Sequence, residues 1–188
     1  MHGVLIEPVT PLPDDEPPLA LDACGLLNLA AAMPLEDVAA AVGLRLICVR
    51  QVADEALYLE HEVDGAIERR PVNLGGLDIL VLESEELAQY VSLAATLDDG
   101  EAATLAAAQR RGWSVVTDDR KASRVARQLD PPVTIRTSAS MLRLIAGRGR
   151  LAVPDIRDLL RRVEVGANFR PPPSDPDFVW WNEHAMPT

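Results

Sequence analysis

The stretch Trp113-Ser114-Val115-Val116-Thr117-Asp118-Asp119 decides the fold: a short apolar, β-type run that ends in carboxylates and leads into a helical pattern. Leu19-Ala20-Leu21-Asp22 is built the same way. Strands that finish in an acid and feed a helix present side chains at the carboxyl ends of a parallel sheet. That edge is where open α/β sheets place their chemistry.

Outward from these two runs, Cys24–Met33 reads as a helix, and Leu35–Val42 as another, opened by Pro34 and stopped by Gly43. Leu44–Val49 reads as a strand and Gln51–Val63 as a helix. Ile67–Leu74 and Leu77–Leu82 read as strands around Gly75-Gly76. Helices follow over Glu85–Leu97 and Asp99–Arg111, then the Trp113–Thr117 strand, a helix over Arg120–Leu129 and a strand over Val133–Arg136. Ser138–Ala146 and Pro154–Val165 are the last predicted helices, and Pro171-Pro172-Pro173 ends regular structure. The alternation predicts a three-layer α/β/α sandwich with a mainly parallel central sheet.

Residues 1–17 form a proline-rich extension, 18–168 the domain proper, and 169–188 a proline/tryptophan tail. The apolar Phe178-Val179-Trp180-Trp181 segment of that tail should dock on its own domain or on a partner.

A chain of 188 residues with 48% apolar content can bury a proper core. No apolar stretch is long enough to span a bilayer, since Ala23–Met33 is broken by Gly25 and Asn28. The start lacks a basic and apolar leader, which argues for a cytoplasmic protein. Cys24 and Cys48 each sit in an apolar segment and read as buried free thiols.

The net charge of −11 hides an asymmetry. Residues 1–109 carry 4 arginines against 20 acids, whereas residues 110–188 carry 13 arginines and 1 lysine against 9 acids. Such arginines can face phosphates. On charge alone, a sequence that simply uses arginine in place of lysine explains this better.

Each acid of interest has a plain structural explanation. Asp22 and Asp118 could cap the helices that follow them. Asp98 and Glu101 have capping-box spacing, and Glu55 could be an ordinary surface residue. Three observations favour a joint role. Asp22 and Asp118 end two strands that a parallel sheet brings to one edge. Glu55 borders the stripe Val52, Ala56, Leu59, Val63, while Asp54 points away. The helix after Asp118 pairs an apolar stripe (Ala122, Val125, Ala126, Leu129) with a basic face of Arg120, Arg124 and Arg127.

Clustered carboxylates repel by roughly 4 kcal/mol per pair at about 4 Å and an effective dielectric near 20. A cation would relieve this, and oxygen-only donors select Mg²⁺ or Mn²⁺. The scattered His2, His61 and His184 offer zinc no home. No phosphate-cradling Gly-rich loop, Gly-x-Ser-x-Gly or dinucleotide fingerprint is present.

Leu21-Asp22-Ala-Cys24-Gly-Leu-Leu-Asn28-Leu is similar to the opening of PIN-domain nucleases. Leu97-Asp-Asp-Gly100-Glu101-Ala102-Ala103, followed by Val115-Val116-Thr-Asp118-Asp119-Arg120-Lys-Ala122, resembles that family's second half. The likeness spans about residues 18–150.

The resemblance implies a metal-dependent endoribonuclease, in particular a toxin of VapBC-type toxin–antitoxin pairs. Carried over by position, Asp22, Glu55, Glu101 and Asp118 would be catalytic, and Asp22, Glu101, Asp118 and Asp119 would hold Mg²⁺ or Mn²⁺. Arg120, Arg124 and Arg127 would contact RNA phosphates, with Asn28 at the periphery of the site. An RNA substrate is implied, and a cognate antitoxin and a homodimer are admitted.

Two positions depart from the family pattern. Cys24 stands where a serine or threonine is usual, and Glu101 where many members have aspartate. A catalytically inactive PIN-like scaffold is the rival reading. A phosphoacceptor receiver domain would require a lysine after a later strand, whereas Lys121, the only lysine, follows the Asp-Asp pair directly.

Overall fold

Leu19–Leu21 (β1) is buried along its whole length and lies at the centre of a parallel sheet. Its neighbours are Leu46–Val49 (β2) on one side and Ser114–Val116 (β6) on the other. The computed structural model describes residues 17–56, 58–63 and 66–186. Residues 1–16, nearly all of the proline-rich extension, lie outside them.

Leu77–Leu80 (β5) pairs with β2, and Ile135–Arg136 (β7) with β6, both parallel, giving the order β5-β2-β1-β6-β7. Because successive strand residues point to opposite faces, the sheet feeds two cores. Leu19, Leu21, Leu46, Cys48 and Val116 face one cluster, while Ala20, Ile47 and Val115 face the other.

The first face is covered by Ala23–Ala32 (α1), Leu35–Val42 (α2), Ser138–Arg148 (α7) and Val153–Gly166 (α8). Ser84–Ala94 (α4), Asp99–Arg111 (α5) and Arg120–Gln128 (α6) contribute Leu93, Ala102, Leu105, Ala106, Ala122 and Ala126 to the second. The result is a three-layer α/β/α sandwich. In the α4–α5 pair the buried Glu86 is matched to Arg111 at 2.5 Å, which satisfies a charge that burial would otherwise penalise. Among the described residues no single helix is long and apolar enough to cross a membrane.

Three sequence expectations require correction. The helix expected over Gln51–Val63 is only Arg50–Glu55 (α3); Tyr58–Val63 (β3) follows it and pairs antiparallel with Ala66–Pro71 (β4). The spacing Leu59-x-His-x-Val63 suits a strand as well as a helix, and a partner strand decides between them.

The second correction concerns the strands around Gly75-Gly76. Both strands are present but belong to different sheets, because β4 pairs with β3 while β5 joins the central sheet. Gly76 has φ +80°, and a Cβ there would come within 2.6 Å of the Glu36 backbone.

Third, Pro171-Pro172-Pro173 does not end regular structure. Phe178–Ala185 (α9) follows and inserts Trp181 into the core with no exposure. Its indole N–H donates to Glu164 Oε1 at 2.9 Å, and Phe169 packs edge-on against its ring with centroids 5.8 Å apart.

Candidate active site

The chain winds outward from β1 through β2 to β5, then crosses back to β6 and β7. The reversal falls between β1 and β6, and in sheets of this kind the crevice outside that point is the ligand site. Asp22 follows β1 directly, and Asp118 follows β6 after Thr117.

Asp22 is almost fully buried and caps α1, its Oδ1 accepting from the Gly25 N–H at 2.6 Å. Gly25 is required there, since a Cβ would sit 2.7 Å from the Val116 carbonyl oxygen. Burial drives the Asp22 carboxyl up to about 6, against hydrogen bonds from Thr117, Gly25 and Cys24 that favour its charge.

Cys24 lies 3.1 and 3.2 Å from the two Asp22 oxygens, and its sulfur accepts from the Asp118 N–H at 3.3 Å. Burial, then the Asp22 charge, pushes its thiol well above the usual range. Position 24 is therefore a neutral thiol donor in contact with both aspartates.

Asp118 does not cap the next helix. That role falls to Asp119, whose Oδ1 accepts from the Ala122 N–H at 2.6 Å. Asp118 Oδ1 instead accepts from the Ser138 N–H at 3.0 Å, and Oδ2 from Asn28 Nδ2 at 2.9 Å and from the Ser138 hydroxyl. Burial raises its carboxyl above the ordinary range, opposed by these bonds.

Glu101 completes a capping box at the start of α5, accepting from the Asp98 N–H at 3.4 Å, and still faces the cleft. Burial, followed by the Asp119 charge, raises its carboxyl. Glu55 ends α3, and a Cβ on Gly100 would lie 2.8 Å from its Oε2. Its carboxyl is raised by burial and then by Asp99 and Asp98.

A cleft of about 420 Å³ is lined by Asp22, Glu55, Glu101, Asp118 and Asp119, with Asp98, Cys24 and Phe169 beside them. Arg120, Arg124 and Arg127 line an adjoining groove that shares Asp118. Asn28 is buried behind Asp118.

A family model described as a PIN domain matches residues 19–174. The chain belongs to the PIN-domain family. No curated protein and no solved structure matches it. PIN domains are typically nucleases, hydrolases that generally use divalent metal ions.

In this PIN domain, no three His, Cys, Asp or Glu side chains among the described residues are gathered closely enough to grip an ion. The donor chemistry nevertheless suits one. Every candidate offers hard oxygen, and Asp22, Glu55, Glu101 and Asp118 are all displaced toward protonation by burial, with repulsion from neighbouring acids adding to it. A divalent cation relieves both costs.

Sequence reasoning missed Ser138, although Thr137-Ser138 ahead of an apolar helix is a capping signal that places this segment near the strand ends. It also missed Phe169 and the link that Cys24 makes between the aspartates. Neither carries a sequence signal of its own.

Proposed function

We propose that this PIN domain is a metal-dependent endoribonuclease that hydrolyses phosphodiester bonds in single-stranded or looped RNA. The observation that carries the reading is one cleft, at the sheet's reversal point, receiving six acids from four separate segments of the chain. Asp22, Glu101, Asp118 and Asp119 would hold Mg²⁺ or Mn²⁺, with Glu55 in support. When bound, such an ion supplies Lewis-acid activation of water and neutralises charge developing on phosphorus.

The protein's own groups set the geometry. Ser138 and Asn28 fix the Asp118 carboxylate, and Gly25 and Cys24 fix Asp22. Arg120, Arg124 and Arg127, all exposed on α6, would anchor flanking phosphates without reading bases. By its resemblance to toxin ribonucleases, we further propose that the chain works in the cytoplasm as the toxin of a pair, with a cognate antitoxin, and as a homodimer.

Two observations favour the rival reading of an inactive scaffold: three hydrogen bonds already occupy Asp118, and among the described residues the acids do not converge into a closed ligand set. A thermal melt with and without Mn²⁺, followed by incubation with mixed RNA, separates the two. A nuclease gains stability with the ion and cuts RNA, and Asp22→Asn abolishes cutting. A melt that ignores Mn²⁺, together with intact RNA, leaves the scaffold.

A further inference from the structure

The groove beside the acid cleft has two unlike walls. One is the exposed basic edge of α6, bearing Arg120, Arg124 and Arg127. Neither Arg124 nor Arg127 has a hydrogen bond or ion pair among the described residues. The other wall is the segment Pro172–Pro176, which brings Ser174 to Arg120 (Nη2 to Oγ, 3.3 Å) and Asp175 into the same groove as Asp118.

This wall is held in place. The Asp177 N–H donates to Asp175 Oδ1 at 2.7 Å, Asp177 accepts from Arg143 at 2.6 Å, and the adjoining α9 is pinned by Trp181. A preset wall costs little ordering on binding.

We propose that this groove is a subsite for one phosphate-bearing nucleotide of a single RNA strand, next to the scissile group. The inference rests on the nuclease reading and deepens it. The groove's volume of about 360 Å³ suits one nucleotide, with the basic edge of α6 on one side and Pro172–Pro176 on the other. None of the described residues lining it is aromatic, so no base is stacked and the contact reads sugar and phosphate only. The long, exposed Arg120–Ser174 bond is the one the incoming phosphate replaces. Asp175 repels that phosphate and limits its affinity.

The test is fluorescence anisotropy of a short labelled oligouridylate in EDTA, across a salt series. Arg124→Gln combined with Arg127→Gln should weaken binding tenfold or more. It should also flatten the logarithmic salt dependence by about 1.4, at about 0.7 for each phosphate that is no longer neutralised. Asp175→Asn keeps the acceptor for the Asp177 N–H and should tighten binding severalfold.

A double variant with unchanged affinity and salt slope overturns the proposal, as does an Asp175→Asn protein that binds more weakly. A labelled oligoglutamate that binds this groove better than the oligouridylate would make it a surface for an acidic protein instead. Binding is read without metal, so cleavage does not enter. A chain that holds the strand through these arginines yet never cuts it would sink the nuclease reading and leave the groove standing.

Discussion

Ser138 donates both its backbone N–H and its hydroxyl to the Asp118 carboxylate, so the first residue of α7 clamps the acid that follows β6. Both bonds favour the charged form against a burial that disfavours it. Asn28 Nδ2 bridges the pair, lying 2.9 Å from Asp118 and 3.1 Å from the Ser138 oxygen.

Ser138→Ala removes one charge-assisted bond and leaves the Asn28 amide short of an acceptor, at a cost of about 1–3 kcal/mol. The Asp118 carboxyl should then rise further, moving the acid limb of the pH–rate profile to higher pH. Denaturant midpoints and the pH profile read the two effects separately. An acid limb that stays in place would remove the hydroxyl from the proton balance of Asp118.

Asp22→Asn separates capping from metal binding. Asparagine caps a helix about as well as aspartate, and its amide oxygen can still accept from the Gly25 N–H. The metal-free variant should be more stable than the parent above pH 7, by about 1–3 kcal/mol, because a buried charge is gone. The rise in melting temperature with Mn²⁺ should disappear. A variant that Mn²⁺ stabilises as much as the parent would show that the ion sits elsewhere.

The same group sets a pH window. With an ordinary value of 3.8 and a folded value of about 6, Asp22 binds more protons in the native than in the unfolded state between those limits. Stability therefore falls as pH rises through the window and is level above it. Glu55, Glu101 and Asp118, also raised, act in the same direction. Without metal, the urea midpoint should be higher near about pH 5 than near about pH 7.5, a reversal of the usual carboxylate trend. Added Mn²⁺ should shrink the gap. A midpoint that climbs across this range contradicts the burial of Asp22.

The sheet edge was legible because two short runs each end in an acid before a helix, and parallel topology leaves such ends nowhere else to go. Glu55 and Glu101 were readable as candidates through spacing, but what brings them together is not local. Gly100 lets α3 approach α5, and only the packed pair shows why a side chain there would strike Glu55. The hairpin at 58–71 was misread because a helical and an alternating pattern coexist over Val52–Val63, and the choice lies with a partner strand. The sequence left Asp118 open as either a cap or a cleft residue, since Asp118 and Asp119 are chemically identical; Asp119 takes the cap, and only Ser138, 20 residues on, distinguishes the two.

Two glycines at the site should respond differently to alanine. At Gly25 the added Cβ meets the Val116 backbone oxygen at 2.7 Å, and backbone cannot yield cheaply. Gly25→Ala should cost at least about 2 kcal/mol and separate α1 from β6. At Gly100 the nearest atom, at 2.8 Å, is the far end of the exposed Glu55 side chain, which can swing aside. With the buried Val52 methyl also only 3.2 Å away, Gly100→Ala should melt below the parent but above Gly25→Ala, and lose cleavage rate if Glu55 supports the site. Paired melts and RNA cleavage rates decide it, and a Gly100→Ala protein with full activity would remove Glu55 from the chemistry.

Trp181 tests whether the C-terminal segment belongs to the domain. It is wholly buried, its N–H is matched by Glu164, and Phe169, which lines the acid cleft, rests against its ring. Trp181→Ala leaves a large cavity and removes one of the two partners of Glu164, with Arg170 remaining at 3.6 Å, a loss of about 3–5 kcal/mol. Trp181→Phe keeps most of the volume and drops only the hydrogen bond, so it should cost about 1–2 kcal/mol. Because Phe169 links this core to the cleft, the alanine variant should also lose cleavage at temperatures where it is still folded. If Trp181→Ala melts with the parent, the tail is a separable appendage and Phe169 needs no support from it.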